Sequence, residues 1–366
     1  MKKVQFSPNK ALVATAIASA IGASGQAQAL DVTLSGQVNR IVNLLDDGVD
    51  NEVLFQDCTC TGTRFRIIGH QDLGNGYSTG SNIELQFQSN ATFATNIQTP
   101  DGQVVGPSSS NGALRKADAY IGTPFGKISL GQGDGASNGT SESDLSDTWI
   151  ASYNAPSGPG SIALRVEGTN EISDQTVSSI TSQYDGFSRN DRIRYDTPSF
   201  GGLKFSGSVG NSFQEVAARY SGDAGGVSIS AALGFATNDD GVDRFMGSAS
   251  LLHSSGFNLT WSFGTQDTDN DIDALGNETD AFTTFGKVGW RFGDNFQHAV
   301  SVGGGFDTDR TFADQEGTRF DLAYINNIAK GVKLYAGLNT VQFDSPEGVD
   351  DFQDVFALFG GGRFTF

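Results

Sequence analysis

The chain has 366 residues, with 42 Asp and Glu against 23 Lys and Arg and a formal net charge of −19. So acidic a balance argues against nucleic acid or an anionic membrane surface as the partner of the whole molecule. Two cysteines and three scattered histidines, His70, His253 and His298, argue against a four-ligand structural zinc site.

Lys2 and Lys3, the apolar stretch Ala11 to Ala23 and the terminal Ala27-Gln28-Ala29 have the layout of a secretory signal peptide over residues 1–29, cleaved before Leu30. The apolar part is too short to span a bilayer. A mature chain of residues 30–366 keeps 20 bases against 42 acids and reads as one domain. Cys58 and Cys60 lie one residue apart, which leaves a local disulfide and a pair of free thiols equally open.

From there on, apolar residues recur at every second position in segments of about ten, and helical periodicity is nearly absent. Val32-Leu34, Phe65-Ile67, Ile83-Leu85-Phe87 and Val227-Ile229-Ala231-Leu233-Phe235 each alternate with polar neighbours, as do Phe257-Leu259-Trp261-Phe263 and Phe320-Leu322-Tyr324. Each is a strand with one apolar and one polar face. Short Gly- and Asn-rich turns (73–76, 124–126, 199–202, 223–226, 254–256, 293–295, 330–331) alternate with acidic connections at 46–57, 91–111, 132–190, 239–243, 267–280, 309–317 and 344–354. The count predicts sixteen antiparallel strands in up-and-down order, with 149–153 and 161–166 left inside the long third connection rather than added as two more strands.

Periodicity does not say which face is inside, since a soluble barrel turns its apolar face inward and a membrane barrel turns it outward. Export, strands of about ten residues, and aromatics near strand ends (Tyr77, Phe282, Trp290, Phe292, Phe343, Phe352) favour a transmembrane β-barrel.

The order of several short segments resembles the Gram-negative trimeric general diffusion porins across the whole mature chain. They are Val32-Thr33-Leu34-Ser35-Gly36-Gln37, Thr63-Arg64-Phe65-Arg66, Asp72-Leu73-Gly74-Asn75-Gly76, Ala119-Tyr120-Ile121-Gly122, and Phe125-Gly126-Lys127-Ile128-Ser129-Leu130-Gly131. Ile193-Arg194-Tyr195-Asp196-Thr197-Pro198-Ser199-Phe200 and the closing Gly362-Arg363-Phe364-Thr365-Phe366 complete the set. The resemblance implies a homotrimer in the outer membrane, among lipid and lipopolysaccharide, passing small hydrophilic solutes. It implies a third loop, about 132–190, folded into the lumen, and a terminal Phe366 read by the outer-membrane assembly machinery. It also sets loop acids (Asp134, Glu142, Asp144, Asp147) against wall bases (Arg64 and Arg194 at motif positions, Arg66 and Arg192 on the same faces) as the pore constriction. Gln37 and Ala117 depart from the bases some members carry, and Arg115, read as sharing a face with Ala117, is a substitute.

A unit charge about 10 Å away in water contributes roughly 0.4 kcal/mol, so such a constriction biases ions several-fold. The acid excess predicts a mild cation preference. No cofactor is expected, although Asp267, Asp269, Asp271 and Asp273 with Glu278 match most of a calcium-loop pattern. Ile272 stands where that loop needs glycine, and an acidic surface loop bridged by divalent ions to lipopolysaccharide is the plainer reading. No Ser-His-Asp set is evident, so an enzyme is not expected. A substrate-selective outer-membrane channel, or a non-pore surface β-protein such as an adhesin, is also compatible with the alternating segments.

Overall fold

The computed structural model describes residues 30–98, 113–155, 158–268 and 272–366; the signal segment 1–29 lies outside it. In chain order the strands are β1 (Asp31–Asp46), β2 (Asn51–Asp57), β3 (Arg64–Gly74), β4 (Tyr77–Gln86), β5 (Ala113–Thr123), β6 (Gly126–Asp134), β7 (Ala163–Arg165), β8 (Ile172–Thr176), β9 (Arg189–Asp196) and β10 (Leu203–Val209). There follow β11 (Phe213–Ala224), β12 (Val227–Asn238), β13 (Val242–His253), β14 (Phe257–Thr268), β15 (Ala281–Phe292), β16 (His298–Thr308), β17 (Glu316–Ala329), β18 (Val332–Asp344) and β19 (Val355–Thr365). β2 and β3 pair successively with the two halves of β1 and form a single wall strand, while β7 and β8 pair only with each other. Among the described residues the wall is thus sixteen antiparallel strands. It closes where β1 pairs with β19 over Gln37–Thr365 to Asp46–Phe356.

Which face looks outward decides what surrounds the barrel. Val216, Leu233, Leu259, Trp261, Val288, Trp290, Val302 and Leu322 are all exposed on its outside. Ser206, Ser208, Ser248, Ser250, Thr260, Ser262, Lys287, Ser301, Arg319 and Asn339 are buried within. A water-soluble barrel would have the reverse, because burying charge and hydroxyl while wetting tryptophan is unfavourable in water and favourable in hydrocarbon. This arrangement removes the reading as a soluble surface β-protein.

Three expectations are corrected. Residues 46–57 are not a long connection: β1 runs to Asp46 and β2 begins at Asn51, leaving 47–50 as a turn in which Asp47 accepts the N–H groups of Val49 and Asp50. Phe343 and Phe352 do not belong to an outer girdle, for they meet edge-to-face at 6.3 Å and pack inside against an apolar cluster. Finally, Arg115 does not share a face with Ala117. The register shifts where β4 meets β5, between Glu84 and Leu85, so that Arg115 and Lys116 both reach carboxylates, at Glu84 and Asp134, while Ala117 is left exposed.

Val302, half-exposed near the middle of β16, tests the orientation. Val302→Arg is expected to lower stability in lipid vesicles by about 2–4 kcal/mol, the range for a cation on the lipid face near the midplane. Urea unfolding from vesicles measures it, and an unchanged midpoint would put that face outside the bilayer.

Candidate pore constriction

The connection between β6 and β9, residues 135–188 and here called L3, runs around the inside of the wall. The main-chain groups that L3 does not pair within itself need partners inside the barrel, and wall side chains supply them. Ser208 Oγ accepts Ala136 N at 2.8 Å, Glu215 accepts Ser137 N at 3.1 Å and Phe187 N at 2.8 Å, and Ser248 and Ser250 accept Ser143 N and Leu145 N at 2.8 and 2.9 Å. Asp307 accepts Ser182 N at 3.0 Å. Arginines hold the carbonyls: Arg194 donates to Gly135 O, Arg219 to Ala136 O and Asn138 O, Arg244 to Gly186 O, and Arg310 to Ser178 O and Thr181 O.

Apolar packing anchors the far side of L3. Its β7–β8 hairpin and the helical turn α1 (Val177–Ile180) bury Leu164, Val177 and Ile180 against Leu45 and Leu54 of β1–β2 and Val341, Val355 and Ala357 of β18–β19. Ile150 and Ala151 join a second cluster with Ile325, Tyr335 and Phe359.

Between L3 and the β3–β5 wall lies a cavity of about 650 Å³. Arg64, Arg115, Arg189 and Arg244 line it together with Glu142, Asp144 and Asp185 and the rings of Phe93, Trp149 and Tyr153. Beside the cavity, buried Glu84 gathers three guanidinium groups, with Arg64 at 3.2 Å, Arg115 at 2.5 Å and Arg66 in direct contact. One carboxylate among three arginines leaves an excess of positive charge facing the opening. On the L3 side Tyr153 donates to Glu142, as does Gln183 at 3.1 Å. Burial, then repulsion from Glu142, pushes the Asp185 carboxyl well above the usual aspartate range, although it accepts Gly139 N and, at 2.9 Å, Asn138 Nδ2.

The expected site residues divide between lining and support. Arg64, Glu142 and Asp144 line the cavity, Asp144 also pairing with Lys287 at 2.6 Å. Arg66 sits behind it on Glu84. Arg192 pairs with Asp118 at 2.7 Å and donates to Gly131 O and Asp134 O, and Arg194 pairs with Asp196 at 2.8 Å, so both fix the root of L3. Asp134 is held by Lys116 and, at 2.9 Å, by Arg189. Asp147 is taken by Lys333 and by Asn327 at 2.7 Å. Arg189, Arg244 and Asp185 are lining residues that the sequence reading missed. The alternation of Arg244 with exposed Phe245 could have found the second of these, whereas nothing in the pattern marks Asp185.

The sequence matches the Gram-negative porin family over residues 11–346. The chain belongs to that family. This porin therefore sits in the outer membrane and forms a channel through it. No curated protein sequence matches it. Among solved structures it is similar to an anion-selective porin from Comamonas acidovorans, with a TM-score of 0.62 at 17% identity, covering 92% of this chain and 100% of the other. It is also similar to OmpT of Vibrio cholerae in a trimer form (0.58, 14%, 93% and 100%) and to a mutant of the Rh. blastica porin (0.54, 16%, 92% and 100%).

Other predicted features of the porin fall elsewhere. Phe366 closes the barrel seam, exchanging two main-chain hydrogen bonds of 3.0 Å with Gly36, and its ring is exposed. Of the calcium-loop acids, Asp269 and Asp271 lie outside the described residues. Asp267 lies one residue before the end of β14, Glu278 is bridged to Ile272, and Asp273 accepts the N–H groups of Leu275, Asn277 and Ala313. Among the described residues no three His, Cys, Asp or Glu gather as a metal site.

Protonating Asp185 removes a negative charge from a lining with four arginines, and it does so at a higher pH than for a freely hydrated aspartate. Acidification through the range in which Asp185 titrates is expected to shift the reversal potential toward anions, and Asp185→Asn to abolish that part of the shift. Bilayer recordings across a pH series decide the matter; identical profiles for both proteins would contradict the assignment.

Proposed function

We propose that the protein is a homotrimeric diffusion pore for small hydrophilic solutes and ions, with its constriction between L3 and the arginine-bearing wall of β3–β5. The supporting observation is a polar lumen into which L3 folds, with a cavity beside it in which guanidinium groups face carboxylates. The trimer form of the similar Vibrio cholerae protein supports the assembly. In this reading Phe366 is presented to the assembly machinery, and the acidic outer loops meet lipopolysaccharide.

The sign of the ion preference departs from the one suggested by the overall charge. The acid excess lies largely in exposed connections such as 239–243, 344–347 and 350–354, whereas the lining carries four arginines against three carboxylates. Each unit charge about 10 Å away is worth roughly 0.4 kcal/mol in water, about a twofold bias, so one or two uncompensated charges give a weak anion preference. The similar Comamonas acidovorans protein is an anion-selective porin.

Purified protein in planar bilayers is expected to give steps of ohmic conductance, reduced by neutral sugars small enough to enter. The reversal potential in a salt gradient should favour anions about two- to fourfold, and Glu84→Gln should roughly double that preference. A clear cation preference would reverse the assignment, and the absence of conductance would remove the pore reading. The rings of Phe93, Trp149 and Tyr153 in the lining favour a second reading, a channel selective for a ligand with an apolar face. Saturable block of the current by one solute class, rather than block graded by size, would select it.

A further inference from the structure

The wall leaves its hydrogen-bonded ladder at a place that faces the cavity. Gln37 of β1 pairs with Arg64 of β3, and Arg40 pairs with Asp57 of β2. Only Val38 and Asn39 lie between Gln37 and Arg40, and six residues, 58–63, lie opposite them between Asp57 and Arg64. The excess turns through a short 3-10 segment, Thr59–Thr61, and a disulfide joins Cys58 to Cys60 across it.

Side chains of the wall and of the connection after β4 hold this bulge in place. Gln37 Nε2 donates to Thr61 O at 2.7 Å, Thr61 Oγ1 at 2.8 Å and Gly62 O at 3.0 Å. Asn39 Nδ2 donates to Thr61 O at 3.1 Å, Asp57 accepts Thr63 N at 3.1 Å and Gln88 Nε2 at 3.0 Å, and Thr92 Oγ1 accepts Thr59 N at 3.1 Å. One side of the bulge is open: Thr59, Cys60 and Thr61 line the cavity beside Arg64 and Arg115. The other side meets L3, where Cys58 is buried with Ile150 and Ala151 while Cys60 and Trp149 pack against them.

A bond between residues two apart in sequence closes so small a loop that it removes little freedom from the unfolded chain. Its effect is local, fixing the shape of one turn. Bulges in sheets re-aim side chains and are retained next to functional sites. Here the redirected residues line the cavity together with the L3 carboxylates Glu142, Asp144 and Asp185.

We propose that the disulfide-clipped bulge Cys58–Thr63 is a second, wall-borne constriction element against which L3 closes, so that Thr59–Thr61 set the opening together with L3. The inference rests on the cavity being the diffusion path, as argued above. It assigns a role to Gln37 and Asn39 as positioning residues that hold the bulge, and it gives the two cysteines a part in permeation rather than in the stability of the barrel.

The test uses the full-length protein in planar bilayers, with single-channel conductance and a series of neutral sugars. Thr59→Trp adds bulk to the lining and is expected to lower conductance at least twofold and to exclude the larger sugars that wild type admits. Thr59→Glu should move the reversal potential toward cations. Replacing both cysteines, Cys58→Ser with Cys60→Ser, should raise open-channel noise and the size limit, and reduced wild type should behave in the same way. Intact trimers of Thr59→Trp with wild-type conductance and size limit would overturn the proposal. Should that variant not assemble, reduced wild type treated with an anionic methanethiosulfonate decides: loss of current supports the proposal. Full current, whether Cys60 is labelled by mass or left unlabelled, overturns it. A wild-type protein that conducts nothing fails the pore reading itself, whereas a conducting one indifferent to changes at Thr59 fails only the bulge.

Discussion

The structure depends on one constraint, that a peptide segment placed inside a barrel must find a partner for each polar backbone group it hides. L3 meets it by borrowing from the wall. Serines 208, 248 and 250 and the carboxylates of Glu215 and Asp307 receive its N–H groups, and the guanidinium forks of Arg194, Arg219, Arg244 and Arg310 receive its carbonyls. The inner face is polar for this reason as much as for the sake of water. A lumen lined by hydroxyls alone could admit water, but it would hold a long loop poorly, since charge-assisted bonds are about twice as strong as neutral ones.

The arginines consequently serve two purposes. Arg192 and Arg194 are engaged with Asp118, Asp196 and the root of L3, and their charge is largely spent there. Arg64, Arg66 and Arg115 share one carboxylate, Glu84, and so retain a field that a passing ion can feel. Total charge is a poor guide to that field. Carboxylates on the outer connections are hydrated and screened within about 8–10 Å, whereas groups around the narrow cavity act at contact distance.

Much of the architecture could be read from period-two alternation, because a strand between water and lipid must repeat every second residue. Leu259 and Trp261, or Leu322 and Tyr324, announce their face directly. Features that break the period could not be read in the same way. Arg115 reaches Glu84 only because the ladder slips by one residue. Asn51–Asp57 resembles a polar loop because inward Gln56 and Asp57 serve the connection after β4, through Thr95 and Gln88, and only Leu54 joins an apolar cluster. The course of L3 itself follows no local rule. It is written in scattered wall residues, among them Ser208, Glu215 and Asp307, whose pairing with L3 no spacing reveals. Asp185 reaches the cavity by that route, and its position depends on bonds to Asn138 and to Gly139 within the loop.

The span of these bonds bears on how the molecule is made. Asp147 is tied to Asn327 and Lys333, 180 and 186 positions later, and Ser152 to Asp321, 169 positions later. Contacts so distant in sequence form only after the intervening chain is in place. The part of L3 from Ala136 to Ser152 is therefore seated in two stages, on β10–β13 through Ser208, Glu215, Ser248 and Ser250, and on β17–β18 through Asp321, Asn327 and Lys333. The last strands thus complete the seat of the loop as well as the wall. A sheet that stalled before closure would leave Asp147 and Ser152 without these partners, so an incomplete wall is also an incompletely narrowed one.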